Sequence, residues 1–419
     1  MKIARFEQII TPETGVQLAG YDPFAEAVRI ADDLVVSMLA LDDGRNKALI
    51  LGYDLLGMDE ITIERIRREA ALILGTDEEF IIVSCTHTHE GPHSATLPEA
   101  PENFNRKYVE KLIELTLDGV EKLKDKFVET EVFFYSMKVD ANTNRRWVAR
   151  DNSGKFFPHH RDMEALSDEF CDKELGMLLF GEVGTRNIIE VMVNYAAHPL
   201  AAHASSLGSH TISADYPGYL RKFIKDETGA DCIFVSGAAG DMFPKESELG
   251  LDAARRMGEQ LGRAVLLAMI DAKRQPARFK LENPEIKAML TRVEVNRRKD
   301  DPRTDAVPPY YQNKDKFQLP LQLLAIGDVA LVGVPGELVA ELGQEIKWHS
   351  PFRKTFILYA STAFLDYLCH GNALLQGGYE PWCQLFDSRS GLKIVNAAVD
   401  ALYDLKGIDA LPSLPKHPF

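Results

Sequence analysis

EFIIVSCTHTHEGPH (residues 79–93) opens as an unbroken apolar run and empties within a few residues into hydroxyl, imidazole and carboxylate side chains. A short apolar run closed by a turn signal reads as a strand buried on both faces. Such strands belong to α/β proteins, which carry their chemistry in the loops at strand ends. The flanking sequence agrees. KALILGYDLLGM (47–58) is a second buried strand running into a loop, and ITIERIRREAALILG (61–75) spaces Ile61, Ile66 and Ala70 as a helix and stops at Gly75. ENFNRKYVEKLIELTLDGVEKLKDKF (102–127) has the period of a long amphipathic helix, and TEVFFYSMKVD (130–140) is a strand.

Residues 142–174 read as irregular and rich in Arg, Asp and His. The alternation then resumes. NIIEVMVNYAAHP (187–199) and DCIFVSGAAGDMFP (231–244) are strand-to-loop units, SADYPGYLRKFIKDETG (213–229) is a loop-to-helix unit closing on Gly229, and residues 251–270 form a strong helix. Residues 284–295 and 319–337 are rich in strand, with a hairpin turn at Gly327-Asp328; helices follow over 337–349 and 390–405, with a strand at 356–362. There are no repeats and no low-complexity linker, so the expectation is a single α/β domain over 1–419, with mixed β-sheets covered by helices in αββα-like layers. The charged, Pro-rich stretch from Asn296 to Pro320 reads as a surface excursion.

Composition narrows the function. Hydrophobic residues at 45% and charged residues at 26% describe an ordinary globular chain of 419 residues. A net charge of −15 argues against nucleic acid, whose phosphates need a basic surface. The N-terminus lacks the apolar core of a secretory signal, and no run of about 18 apolar residues suggests a membrane span. Cys85, Cys171, Cys232, Cys369 and Cys383 are odd in number and scattered, which suits reduced thiols and a cytoplasmic location.

Most of the eleven histidines fall in three groups: His87, His89 and His93; His159 and His160; and His198, His203 and His210. Imidazole is the commonest zinc ligand and titrates near neutrality. In an extended segment His87 and His89 point the same way, so they either share one ion or divide metal binding and proton transfer between them. His198 follows a buried strand, as a ligand or as a hydrogen-bonded core histidine. His203 and His210 suit solvated or supporting roles. Asp215 precedes a helix and fits either a cap or a site residue. Glu337 ends the most hydrophobic strand, where a carboxylate needs a metal, a partner or a helix N-terminus. Arg145 and Arg146 offer anion clamps. The SGAAGD loop presents backbone N–H groups, without the Lys-Ser/Thr pair of a phosphate-binding loop.

In order along the chain, SCTHTHEGPH, NTNRR, NYAAHP, ISADYPGY, FVSGAAGDMFP, VPGE and the stretch Ala360–Tyr379 resemble the catalytic domain of the neutral, non-lysosomal ceramidases. The resemblance implies one zinc ion held by two histidines, a glutamate and a tyrosine, which by motif are His87, His198, Glu337 and Tyr367. It implies His89 and Arg145 beside the reacting group and Tyr379 on the oxyanion side. Phe243 stands where the family carries a serine in the segment Gly240–Lys245, and the family's C-terminal immunoglobulin-like domain is not expected in this chain.

The expected function is zinc-dependent hydrolysis of an amide (N-acyl) or related acyl bond in a small soluble substrate by metal-activated water, since no serine is on hand to form an acyl-enzyme. His89 or Asp215 would take the water proton, and Arg145 or Tyr379 would meet the oxyanion or a substrate carboxylate. The alternatives are a degenerate metal-binding protein of the same fold, or a metal-dependent ester, lactone or phosphoester hydrolase. Neither nucleic acid nor an integral membrane contact is expected as a partner.

Overall fold

The computed structural model describes residues 1–20, 25–97, 101–148, 154–156, 170–203, 210–299 and 314–408. His159 and His160 lie outside them. The principal strands are β1 (Lys2–Ile9), β2 (Val35–Asp42), β3 (Lys47–Tyr53), β4 (Ile81–Cys85), β5 (Val128–Lys138), β6 (Glu174–Glu182), β7 (Ile188–Tyr195), β8 (Asp231–Ser236), β9 (Ile286–Asn296), β10 (Lys316–Ile326), β11 (Val329–Gly333), β12 (Glu337–Leu338), β13 (Lys354–Leu358) and β14 (Tyr367–Leu368). The principal helices are α1 (Glu60–Leu74), α2 (Arg106–Leu123), α3 (Asp215–Thr228), α4 (Leu251–Arg274), α5 (Ala340–His349), α6 (Gly371–Gln376), α7 (Tyr379–Cys383) and α8 (Ser390–Lys406).

An eight-stranded mixed sheet has the order β8-β7-β6-β5-β1-β2-β3-β4, and a four-stranded sheet the order β9-β10-β11-β13. Their inner faces share one core, in which Ile3, Leu39, Ile50, Phe180, Met192 and Val235 meet Leu324, Leu331, Phe356 and Leu358. Helices α3 and α4 cover an outer face through Leu220, Ile224, Leu261 and Val265 against Val191, Val193 and Phe234. The result is the layered α/β architecture expected from the alternation of apolar runs and amphipathic helices. Among the described residues, no helix is long and apolar enough to cross a membrane.

Helix ends fall where the chain signals them: α1 stops at Gly75 and α3 at Gly229, both left-handed. Ile326 pairs with Val329, leaving Gly327-Asp328 as the two-residue turn between β10 and β11. The expected surface excursion is shorter than the sequence suggested. β9 and β10 pair along their whole length, from Ile286↔Ile326 to Asn296↔Lys316, so Lys316–Pro320 is strand. Pairing with β11 starts only at Gln322↔Gly333, so Pro320 faces no strand on that side and its missing N–H opens no ladder bond there.

Candidate metal centre

Three strands of parallel pairing deliver their C-terminal ends to one place: β4 runs beside β3, β7 beside β8, and β11 beside β13. The loops after β4 and β7 carry His87 and His198, and Glu337 opens β12 just after β11. The Nε2 atoms of His87 and His198 stand 3.4 and 3.0 Å from the same carboxylate oxygen, Oε2 of Glu337. All three side chains are buried. His89 completes the cluster, its ring centroid 4.9 Å from that of His87 and 5.9 Å from that of His198.

THTH does not reach this geometry as an extended segment. The strand ends at Cys85, and His87 adopts a left-handed backbone, φ +73°, a conformation non-glycine residues hold only where the surroundings enforce it. Here the His87 amide donates to Leu55 O at 2.9 Å and the Thr86 amide to Tyr53 O at 2.7 Å, pinning the turn to the end of β3. Asp215, Ala360 and Asp366 are left-handed as well. Asp366 precedes β14, whose Tyr367 is the register partner of Glu337 across the short parallel pair β12/β14. That pairing sets Tyr367 beside the carboxylate.

The ring tautomers follow from the backbone. His87 Nδ1 lies 2.7 Å from Leu56 O and His198 Nδ1 lies 3.2 Å from Met242 O. A carbonyl only accepts, so each Nδ1 donates and each Nε2 faces the Glu337 carboxylate. Burial, reinforced by the nearby Arg145 charge, pushes His198 down to about 4. Burial also holds His89 well below the usual imidazole range, with His87 adding to the effect. Burial alone would raise Glu337, but His87 and His198 outweigh it and keep the carboxyl ionised. Two imidazoles whose outer nitrogens are bound to carbonyls, plus a buried carboxylate, make a donor set that fits a zinc ion.

Arg145 forms the next layer. Its Nε donates to Glu380 Oε1 at 2.7 Å, and its Nη2 donates to Gly240 O at 2.9 Å and to Tyr367 Oη at 2.8 Å. The guanidinium carbon lies 4.5 Å from the Phe243 ring centroid, 5.5 Å from that of Tyr367 and 5.6 Å from that of Tyr379. Phe243, almost wholly buried, also stands 5.5 Å from the His198 ring. Tyr379 is 38% exposed and packs edge-on to Tyr367, which sets it at the outer side of the group. The SGAAGD loop comes so close to Glu337 that a Cβ on Gly240 would lie 2.6 Å from Glu337 O, hence glycine there.

Asp215 stands one step back from the imidazoles. It opens α3, and its carboxylate accepts from the amides of Ala202 and Tyr216, tying the loop after His198 to the helix. Burial pushes its pKa up to about 7. His203 pairs with Glu90 at 3.2 Å, His93 with Leu18 O at 3.0 Å, and His210 with Glu26 O at 2.8 Å.

Two residues the sequence reading passed over help to build the site. Glu380 bridges Arg145 and Arg146. Asp241 accepts from the Ala340 amide and from Asn144 Nδ2, each at 2.8 Å, while its carbonyl receives the Arg145 amide. Burial pushes Asp241 up to about 6. Their only local signal was adjacency to Tyr379 and to the SGAAG loop.

No protein-family model matches the chain, and no curated protein sequence does. Among solved structures, the neutral ceramidase from Pseudomonas aeruginosa superposes with a TM-score of 0.78 at 16% identity, over 99% of this chain and 76% of that one. A ceramidase complexed with C2 superposes with a TM-score of 0.75 at 15% identity, over the same shares. The chain therefore has the α/β fold of the neutral ceramidases across essentially its whole length.

Proposed function

We propose that the protein is a metal-dependent hydrolase of amide (N-acyl) bonds in small acyl substrates, with zinc held by His87, His198, Glu337 and Tyr367. The observation that carries this reading is the convergence of the His87 and His198 Nε2 atoms on one buried Glu337 oxygen, 3.4 and 3.0 Å away. The fold shared with neutral ceramidases supports the choice of amide chemistry.

Zinc, when bound in such a site, polarises the scissile carbonyl and makes water acidic enough to attack near neutral pH. The chain supplies the rest. His89, kept neutral by burial, accepts the proton of the attacking water and returns it to the leaving nitrogen. A C–O bond forms, the C–N bond breaks, and carboxylate and amine depart. Arg145 remains charged because Tyr367 and Glu380 outweigh the effect of its burial. Its guanidinium and the Tyr379 hydroxyl are the groups for the oxyanion. Asp215 serves by holding the loop after His198. Phe243 offers no hydroxyl, so water is the nucleophile and no acyl-enzyme accumulates.

Elemental analysis of purified protein, followed by turnover on amide, ester, lactone and phosphoester panels, tests the reading. His87→Ala is expected to lose both metal and turnover. Amide turnover is expected without a pre-steady-state burst, the sign of a covalent intermediate. Full activity in metal-free protein would reject the proposal.

A further inference from the structure

Residues 18–20 lie against the loop that carries His89. The Ala19 amide donates to Gly91 O at 2.9 Å, Leu18 bridges Pro92 in antiparallel register, and His93 Nε2 meets Leu18 O at 3.0 Å. The N-terminal segment is thus stapled, residue by residue, to the chain just after His89. Burial lowers the pKa of His93, so a neutral ring donates its Nε2 hydrogen to the Leu18 carbonyl. This histidine, which the reaction leaves unused, is one of the staples.

The staple fixes Gly20. Its φ is +117°, and a Cβ built on it would lie 2.2 Å from His89 Nδ1, 2.7 Å from Cγ and 3.0 Å from Cε1. Those three consecutive atoms are one edge of the imidazole, and a side chain at 2.2 Å from a ring atom forces the ring or the backbone to shift. The His87 and His198 rings neighbour it, their centroids 4.9 and 5.9 Å from that of His89.

We propose that Gly20 is a positioning residue: its bare backbone seats the Nδ1 edge of His89 and fixes the ring beside His87 and His198, where it serves the proton transfer. The consequence for turnover rests on the hydrolase reading; the seat itself does not. Gly15 supplies the control. It lies in the same segment with φ +93°, but a Cβ there meets nothing within 4 Å. Gly15→Ala therefore carries backbone strain without touching a ring.

In metal-loaded enzyme, Gly20→Ala is expected to lower kcat about a hundredfold with KM and metal stoichiometry kept, the scale of effect a misplaced group of about 1 Å produces. Gly15→Ala is expected to leave kcat unchanged. In urea unfolding, Gly20→Ala should shift the midpoint more than Gly15→Ala. The excess should vanish when both changes are repeated in a His89→Ala background, because the colliding ring is gone. Equal midpoint shifts for the two glycines, or an excess that persists without the His89 ring, would overturn the proposal. If the wild-type protein turns over no substrate, the hydrolase reading fails, while the unfolding comparison still reads the seat.

Discussion

At the scale of single residues, Glu380 carries more than its place in the sequence suggests. It answers two guanidinium groups at once, Arg145 at 2.7 Å and Arg146 at 3.1 Å, with all three side chains at most 3% exposed. Removing the anion strands two buried cations, and breaking one member of a buried pair costs about 3–5 kcal/mol. Glu380→Gln is therefore expected to lower the urea midpoint strongly, and to reduce turnover more than metal content because Arg145 loses its anchor. A variant with unchanged stability would mean that solvent reaches the pair. Phe243 tests the opposite case. It packs under Arg145 and against His198, so Phe243→Ser opens a cavity and costs about 3 kcal/mol or more, as truncating a buried aromatic does. The added hydroxyl is expected to bring no burst phase. The sequence placed His87, His198 and Glu337 after buried strands, and the structure brings the three side chains together. The sequence could not identify Glu380, since nothing in YEPW tells a buried anion from a solvated one.

At the scale of elements, strands and helices were legible from apolar runs and glycine stops, because those signals are local. Pairing was not, because it joins segments far apart: the Glu337↔Tyr367 register that sets two candidate ligands side by side depends on two strands of two residues each. The turn at His87 escaped for a related reason. A left-handed histidine is imposed by hydrogen bonds to Tyr53 and Leu55, which its own neighbours in sequence do not announce. Asp215 illustrates an ambiguity that the structure describes in energetic terms. It opens α3, yet it reaches out of the helix to the Ala202 amide, and burial raises its pKa from 3.8 to about 7. Between about pH 4 and 7 the folded state keeps a proton that the unfolded chain releases. Stability from this group is full below about pH 4 and is lost as pH rises through about 7, by about 4 kcal/mol for a shift of this size. Asp215→Asn removes the titration. The variant's stability relative to wild type is expected to be better at pH 8 than at pH 5, whatever fixed offset the amide introduces. Parallel pH profiles would place the shift elsewhere.

At the scale of the whole molecule, the candidate metal centre joins parts of the fold that also meet through apolar packing and through hydrogen bonds such as Asn194 Nδ2 to Ile357 O and the Tyr359 amide to Ser236 O. His87 follows β4 at one edge of the eight-stranded sheet, His198 follows β7 one strand in from the other edge, and Glu337 opens β12, just after β11 of the four-stranded sheet. His198 and Glu337 alone are 139 residues apart. A cation bound by all three closes loops that the unfolded chain must otherwise leave open, and it binds the folded state far better than the unfolded one. Linkage then gives a stabilisation that grows with free metal, about 2.7 kcal/mol at a hundred times Kd. Zinc is expected to raise the melting temperature of chelator-treated protein in proportion to the logarithm of its concentration, and His198→Ala is expected to abolish that response. Because the donors follow β4, β7 and β11, hydrogen exchange should slow at the C-terminal ends of these three strands together on metal addition. Protection confined to one loop would mean that the three donors do not share an ion.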